Sequence, residues 1–221
     1  MSRDNASLAD RLGETVEKFM SSLPDEDAQI TGGSFEKLAA SQTAENALAA
    51  GEMMPDFTLP NVMGDPVTLS DMLNKGPVVL NFYRGGWCPF CNLELQALQA
   101  RLPEIKALGA TLVGISPETP DNSLTAIEKH QLEFEVLSDV GNKTARKFGL
   151  LFTVYEEMRP LYLKWGLDVP AVNGDDSWEL PVPATYVIDR NAVVHAAHVD
   201  KDYTKRMEPD EVIAALQELQ A

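Results

Sequence analysis

The stretch Pro77–Tyr83 reads PVVLNFY and is apolar on both faces at its start. A half-exposed strand alternates apolar and polar residues. A continuous apolar run suits a strand covered on both sides, as in a parallel sheet between helices. This run therefore demands helices and further strands. Ala110–Ser116 (ATLVGIS) and Phe134–Asp139 (FEVLSD) read as strands, and Val67–Ser70 (VTLS) as a short one leading to a short helix stopped by Gly76. A helix is expected after Arg84-Gly85-Gly86, with Leu93, Leu95, Leu98, Leu102 and Ile105 on or near its buried side and Pro103 kinking or splitting it. Pro120–Gln131 and Asn142–Phe148 read as helices, the second ending at Gly149. Ala184–Asp189 and Ala192–Val199 read as paired strands around an Asp-Arg-Asn turn, and Pro209–Leu219 as a closing helix. Strands alternating with helices predict an α/β domain over residues 51–221, its sheet mostly parallel with a hairpin at one edge.

Residues 1–50 read differently. Leu8, Leu12, Val16, Phe19 and Leu23 form one helical stripe. Pro24 and the acids of PDED are expected to end that helix, and Thr31-Gly32-Gly33-Ser34 to turn the chain. A second helix is then expected over FEKLAASQTAENALAA, closed by Gly51. The two form an arm that packs on the domain or on a second subunit. The segment Leu150–Pro181, with Phe152, Tyr155, Tyr162, Trp165 and Trp178 around an acidic loop, reads as a packed aromatic insert, with a wall of the functional site as the alternative.

With 18 basic and 34 acidic residues the net charge is −16. That acidity repels phosphate backbones, so no nucleic-acid partner is expected. It also disfavours an anionic membrane surface. No apolar run approaches the ~18 residues of a membrane span, and the opening MSRDNASLAD lacks the apolar core of a secretory signal. The expected location is the cytoplasm. In a reducing compartment a structural disulfide is not expected, and a C-x-x-C spacing reads as redox or metal chemistry.

The chain holds two cysteines, Cys88 and Cys91, inside YRGGWCPFCNLEL. A strand ends at Tyr83, two glycines turn the chain, and a helix begins near Cys88. Pro89 takes the first helical position, where its missing N–H removes no bond. Cys88 is then the N-cap residue, its sulfur near unpaired N–H groups that favour an anion. A free thiol of pKa ~8.5 is only ~3% thiolate at pH 7; at ~6.5 it is ~75%. Cys91 lies three residues on, with side-chain roots ~5–6 Å from those of Cys88, close enough for a disulfide. Trp87 and Phe90 flank the pair and are expected to shield it while leaving one sulfur at the surface. Three readings stand: redox pair, half of a metal site, or two small core residues. Zinc wants about four ligands. The chain has no second cysteine pair and three histidines, of which His195 and His198 point to opposite faces of a strand. The strand, glycine turn, CxxC and helix form the context that redox chemistry needs, and nothing in the chain calls for a metal or a cofactor.

These residues resemble a thioredoxin-fold protein, with WCPFC standing where thioredoxins carry their active site. PDFTLPN (55–61), VTLSD (67–71), VVLNFYRGGWCPFCNLEL (78–95), VGISPET (113–119), FEVLSDVGNKTARKFGL (134–150) and PATYVIDR (183–190) resemble the peroxiredoxins of the alkyl hydroperoxide reductase/thiol-specific antioxidant family. The resemblance implies a thioredoxin-like α/β fold, with a central mixed sheet flanked by helices and the helical arm as an extension. It also implies a thiol-dependent antioxidant oxidoreductase. Its Cys88–Cys91 dithiol–disulfide couple would reduce hydroperoxides or disulfides, with electrons from a thioredoxin-type protein or glutathione. Cys91 falls on the family's peroxide-attacking cysteine, Cys88 on its threonine and Arg84 on its proline. The family's arginine falls on Pro183, where thioredoxins hold a cis-proline facing the pair. Thioredoxin logic makes Cys88 the attacking sulfur, and peroxiredoxin logic makes it Cys91. Arg84 is a candidate to stabilise a thiolate or orient a peroxide. A disulfide reductase without peroxidase activity, or a redox sensor, are the alternatives. A homodimer is expected by analogy alone.

Overall fold

The computed structural model describes residues 6–220; the first five residues of the leader reading lie outside the described residues. Two helices open the chain, α1 (Leu8–Ser22) and α2 (Asp25–Ala40). A small hairpin follows, β1 (Thr58–Pro60) with β2 (Pro66–Thr68), then α3 (Leu69–Leu73). The apolar run forms β3 (Val78–Phe82), buried at every position. Next come α4 (Pro89–Ala107), β4 (Thr111–Ser116), α5 (Pro120–His130), β5 (Glu135–Ser138) and α6 (Lys143–Lys147). The aromatic insert holds β6 (Leu151–Thr153), α7 (Arg159–Lys164), α8 (Val169–Asn173) and β7 (Glu179–Pro181). The chain closes with β8 (Ala184–Ile188), β9 (Val194–Val199) and α9 (Pro209–Glu218).

Five strands form the central sheet in the order β5-β4-β3-β8-β9. β3 runs parallel to β4, and β4 to β5; β8 is antiparallel to β3 and β9. The mixed sheet that the resemblance implies is present with its edge hairpin, but it is less parallel than the element pattern predicts, because β8 enters antiparallel beside β3. One core cluster joins the buried sides of α4 and α9 to Val79, Leu112 and Val187 and takes in Leu8 and Leu12 of α1. A second, on the other face, joins Leu80, Phe82, Ile115, Phe148 and Tyr186. No helix among the described residues is long and apolar enough to cross a membrane.

The arm departs from expectation in its second half. The first helix ends at Ser22, just before Pro24, as expected, but no turn follows: Pro24 is the N-cap of α2, and Asp25, Glu26 and Asp27 fill its first turn. Negative charge at that end is favourable, because the unpaired N–H groups there are positive. Gly32 and Gly33 lie inside α2 rather than in a turn, and residues 41–50 form turns where a helix was expected. The turns pack closely against Gly149. Its φ is +70, and a Cβ there would lie 2.6 Å from the Asn46 carbonyl oxygen. Pro103 does not split α4: the helix runs unbroken through it. Leu98, Leu102 and Ile105 on its buried side anchor both halves to the core.

Candidate active site

Backbone bonds fix the cysteine turn. Gly85 has φ +146, and a Cβ there would meet the Trp87 indole nitrogen at 2.3 Å, so only glycine is accommodated. The Gly86 N–H donates to Glu118 Oε2 at 2.8 Å, Asn92 Nδ2 donates to the Gly86 carbonyl at 2.9 Å, and the Cys88 N–H donates to the Gly85 carbonyl at 3.1 Å. Cys88 is the N-cap of α4 and Pro89 its first residue, as the sequence predicts; the Cys88 carbonyl accepts the first helical bond, from the Asn92 N–H at 3.0 Å.

Both cysteines are free thiols and both are 0% exposed. The expectation of one sulfur at the surface is therefore corrected. The arm, the insert and the segment before α9 roof the pair with aromatic side chains; the insert walls the site, the alternative its sequence left open, while Phe19 and Tyr203 were not expected there. Beneath the roof lies a cavity of about 280 Å³. Phe19 and Thr31 of the arm, Met158, Tyr162 and Trp165 of the insert, and Tyr203 line it, together with Arg84, Trp87, Cys88 and Phe90. Cys88 is on this lining and Cys91 is not. Phe19 meets Phe90 and Trp165 edge to face, at centroid distances of 6.3 and 5.5 Å.

Arg84 enters the cavity wall 2% exposed. Its guanidinium lies 4.1 Å from the Tyr203 ring centroid and 4.9 Å from that of Trp87, clamped between two π-faces. One nitrogen donates to the Tyr162 hydroxyl, and another lies 4.0 Å from Cys88 Sγ. A second guanidinium reaches the pair from the far end of the chain. Arg206 Nη2 lies 3.5 Å from Cys91 Sγ, and Arg206 Nε donates to Glu94 Oε2 at 2.6 Å. Thr185 Oγ1 donates to Glu94 Oε1 at 3.1 Å and accepts from Asn81 Nδ2 at 3.0 Å.

These charges separate the two thiols. Burial pushes Cys88 up, but the bond from the Cys91 thiol and the charges of Arg84 and Arg206 outweigh it and bring it to about 6. The Cys91 backbone N–H, from the helix's opening turn, contributes less than these, and no side-chain capping bond closes at Cys88. The helix end thus contributes less than the spacing argument assigned to it, and the guanidinium groups more. Burial pushes Cys91 well above its ordinary value, and its bond to Cys88 pushes it further. Burial also pushes Glu118 up to about 7.

The structure brings Arg84, Trp87, Cys88 and Phe90 together around one cavity and sets Cys91 behind them. Pro183 is buried directly ahead of β8 and does not line that cavity. No peptide bond among the described residues is cis, so Pro183 lacks the cis geometry of the thioredoxin comparison. Thr185, read from sequence as a strand residue, also anchors Glu94. Arg206, Glu94 and Tyr203 carried no local signal; Phe19 showed only as part of a helical stripe and Tyr162 only as part of the aromatic insert. Among the described residues no group of three or more histidine, cysteine or acidic side chains is arranged to hold a metal.

Residues 50–197 match the sequence model of the AhpC/TSA family. Over 169 residues the chain is 31% identical to chloroplastic peroxiredoxin Q of Sedum lineare, covering 76% of this chain and 78% of that protein. It is 32% identical over 105 residues to peroxiredoxin Bcp of Escherichia coli strain K12, covering 48% of this chain and 67% of that protein. Peroxidoxin BcpB from Mycobacterium tuberculosis shares the fold at a TM-score of 0.62 and 24% identity, over 79% of this chain and 99% of that one. The chain belongs to the AhpC/TSA family and is a thiol-dependent oxidoreductase of the peroxiredoxin type, built on a thioredoxin fold.

Proposed function

We propose that Cys88 is the attacking thiolate and Cys91 the resolving thiol in the reduction of a hydroperoxide. The observation that carries this reading is that Cys88, and not Cys91, lines the cavity. The lowered Cys88 thiol and the nearby Arg84 support it. The thiolate attacks a peroxide oxygen, the O–O bond breaks, and the alcohol leaves with a proton. Cys88 becomes a sulfenic acid, and Cys91 condenses with it to form the disulfide and release water. A thiol reductant, one thioredoxin-type dithiol protein or two molecules of glutathione, then returns two electrons and two protons. Such a cycle belongs in a reducing compartment, for which the cytoplasm is our assignment.

The same pair suits thiol–disulfide exchange. Cys88, Arg84 and Pro183 stand where the resembled peroxidase pattern has threonine, proline and arginine, which favours this second reading. There Cys88 forms a mixed disulfide with the substrate, and Cys91 resolves it.

Intact-mass analysis under hydrogen peroxide tests the assignment. Wild type is expected to lose two hydrogens as the disulfide forms, Cys91→Ser to stop at a sulfenic acid, and Cys88→Ser to stay unmodified. A sulfenic acid on Cys91 in Cys88→Ser, with Cys91→Ser inert, reverses the roles. Stopped-flow peroxide consumption with a reductant supplied separates the two substrates. A rate no faster than free cysteine leaves disulfide exchange or a redox sensor.

A further inference from the structure

Cys88, Cys91 and Glu94 recur every three residues at the start of α4, so they share one side of the helix. The Glu94 side chain is 1% exposed. A carboxylate so deep in the protein requires a partner, and it has two: Arg206 at 2.6 Å and Thr185 at 3.1 Å. The same guanidinium turns a different nitrogen to Cys91 Sγ at 3.5 Å. One positive charge therefore faces two acids. Arg84 is placed otherwise: its donors go to Cys88 and to the Tyr162 hydroxyl, neither of them a carboxylate.

We propose that Glu94 selects the leading sulfur: by occupying Arg206 it leaves Cys91 as a thiol, so the negative charge of the pair settles on Cys88 beside Arg84. This rests on Cys88 being the attacking sulfur. The physical ground is the difference between a lone charge and an ion pair. A guanidinium balanced at 2.6 Å presents the field of a dipole, which weakens faster with distance than that of a single charge. Glu94 acts through Arg206 and is a positioning residue.

The surrounding groups agree. Burial pushes Glu94 up to about 7; the Arg206 charge opposes this and the Cys91 charge adds to it. Glu94 and Cys91 thus compete for one counterion. His198 of β9 is the cross-strand neighbour of Thr185. Burial pushes its pKa down, while Asp200 and Glu211 push it up. The remaining groups facing Glu94 are Cys91 on its own helix and Arg206 on the segment before α9.

The test reads thiolate by its ultraviolet absorbance across pH. Cys88→Ser isolates Cys91. Adding Glu94→Gln to that background is expected to lower the Cys91 midpoint by about one pH unit, a tenfold rise in thiolate at a given pH below it. Glu94→Asp, which keeps the charge, is expected to hold the midpoint high. An unmoved midpoint in a folded Glu94→Gln protein overturns the role of Glu94 while leaving Cys88 as the leading sulfur. A low-pH wave of wild type that survives Cys88→Ser overturns both. Should Glu94→Gln not fold, the Cys91 β-carbon resonance in Cys88→Ser alone decides the question. It is expected to show a second, smaller step where Glu94 ionises, and a single step overturns the proposal.

Discussion

A thiol buried at 0% exposure ought to resist ionising, because low dielectric penalises the charged form. Cys88 is lowered because the Cys91 thiol donates to it and because Arg84, stacked on Tyr203 and Trp87, is buried beside it, with Arg206 adding to both. Arg84→Met is accordingly expected to raise the Cys88 midpoint by one unit or more and to slow its alkylation at pH 7 by about twofold or more. Arg84→Lys recovers only part of this, since an ammonium cannot fill a planar slot between two rings. Glu118 carries a separate signature. Its carboxyl sits at about 7 when folded against an ordinary 4.5. Between those values the native state binds more protons than the unfolded one, so stability falls as pH rises through the window. Glu118→Gln is expected to flatten that slope, recovering up to about 3 kcal/mol by pH 7, as read from urea unfolding at several pH values. Arg84 was legible in sequence because it lies four residues from Cys88. Arg206 was not, because it reaches Cys91 across 115 residues of chain, and a lone arginine in a polar segment carries no pattern.

At the scale of elements, α1 is tied to the other end of the molecule. Glu208 accepts from the Leu8 and Ala9 N–H groups at 3.1 and 2.8 Å while also forming the capping box of α9. Glu208→Ala removes acceptors from two helix starts at once. A loss of about 1–2 kcal/mol is expected by chemical denaturation, with α1 amides exchanging faster than those of α4. The CxxC helix, the buried β3 and the hairpin of β8 and β9 were legible because period and turn chemistry agree there. α2 was misread because a Gly-Gly pair inside a helix looks like a turn. Leu38, Thr31 and Asp27, buried along it, and Lys164 at 2.7 Å from Asp27 show that tertiary contacts hold the helix despite its weak propensity.

Across the whole molecule, three stretches remote in sequence meet over one sulfur. The arm brings Phe19, the insert Tyr162 and Trp165, and the segment before α9 Tyr203. The family match ends at residue 197 and begins at 50, so Phe19 and Tyr203 lie outside it. Sequence reading identified the insert as an aromatic segment, but its position over the site depends on contacts that no local pattern encodes. The roof predicts size selection. Phe19→Ala is expected to speed alkylation of Cys88 by a bulky maleimide several-fold and to leave iodoacetamide nearly unaffected. Equal effects on both reagents contradict a role for Phe19 as a gate.

The most direct test is the rate of iodoacetamide labelling of the reduced wild-type protein across pH, with the labelled residue read by peptide mass. The label is expected on Cys88, with a rate that rises through a midpoint near pH 6 and then levels. A midpoint at the ~8.5 of an ordinary thiol, or a label that goes first to Cys91, contradicts the account.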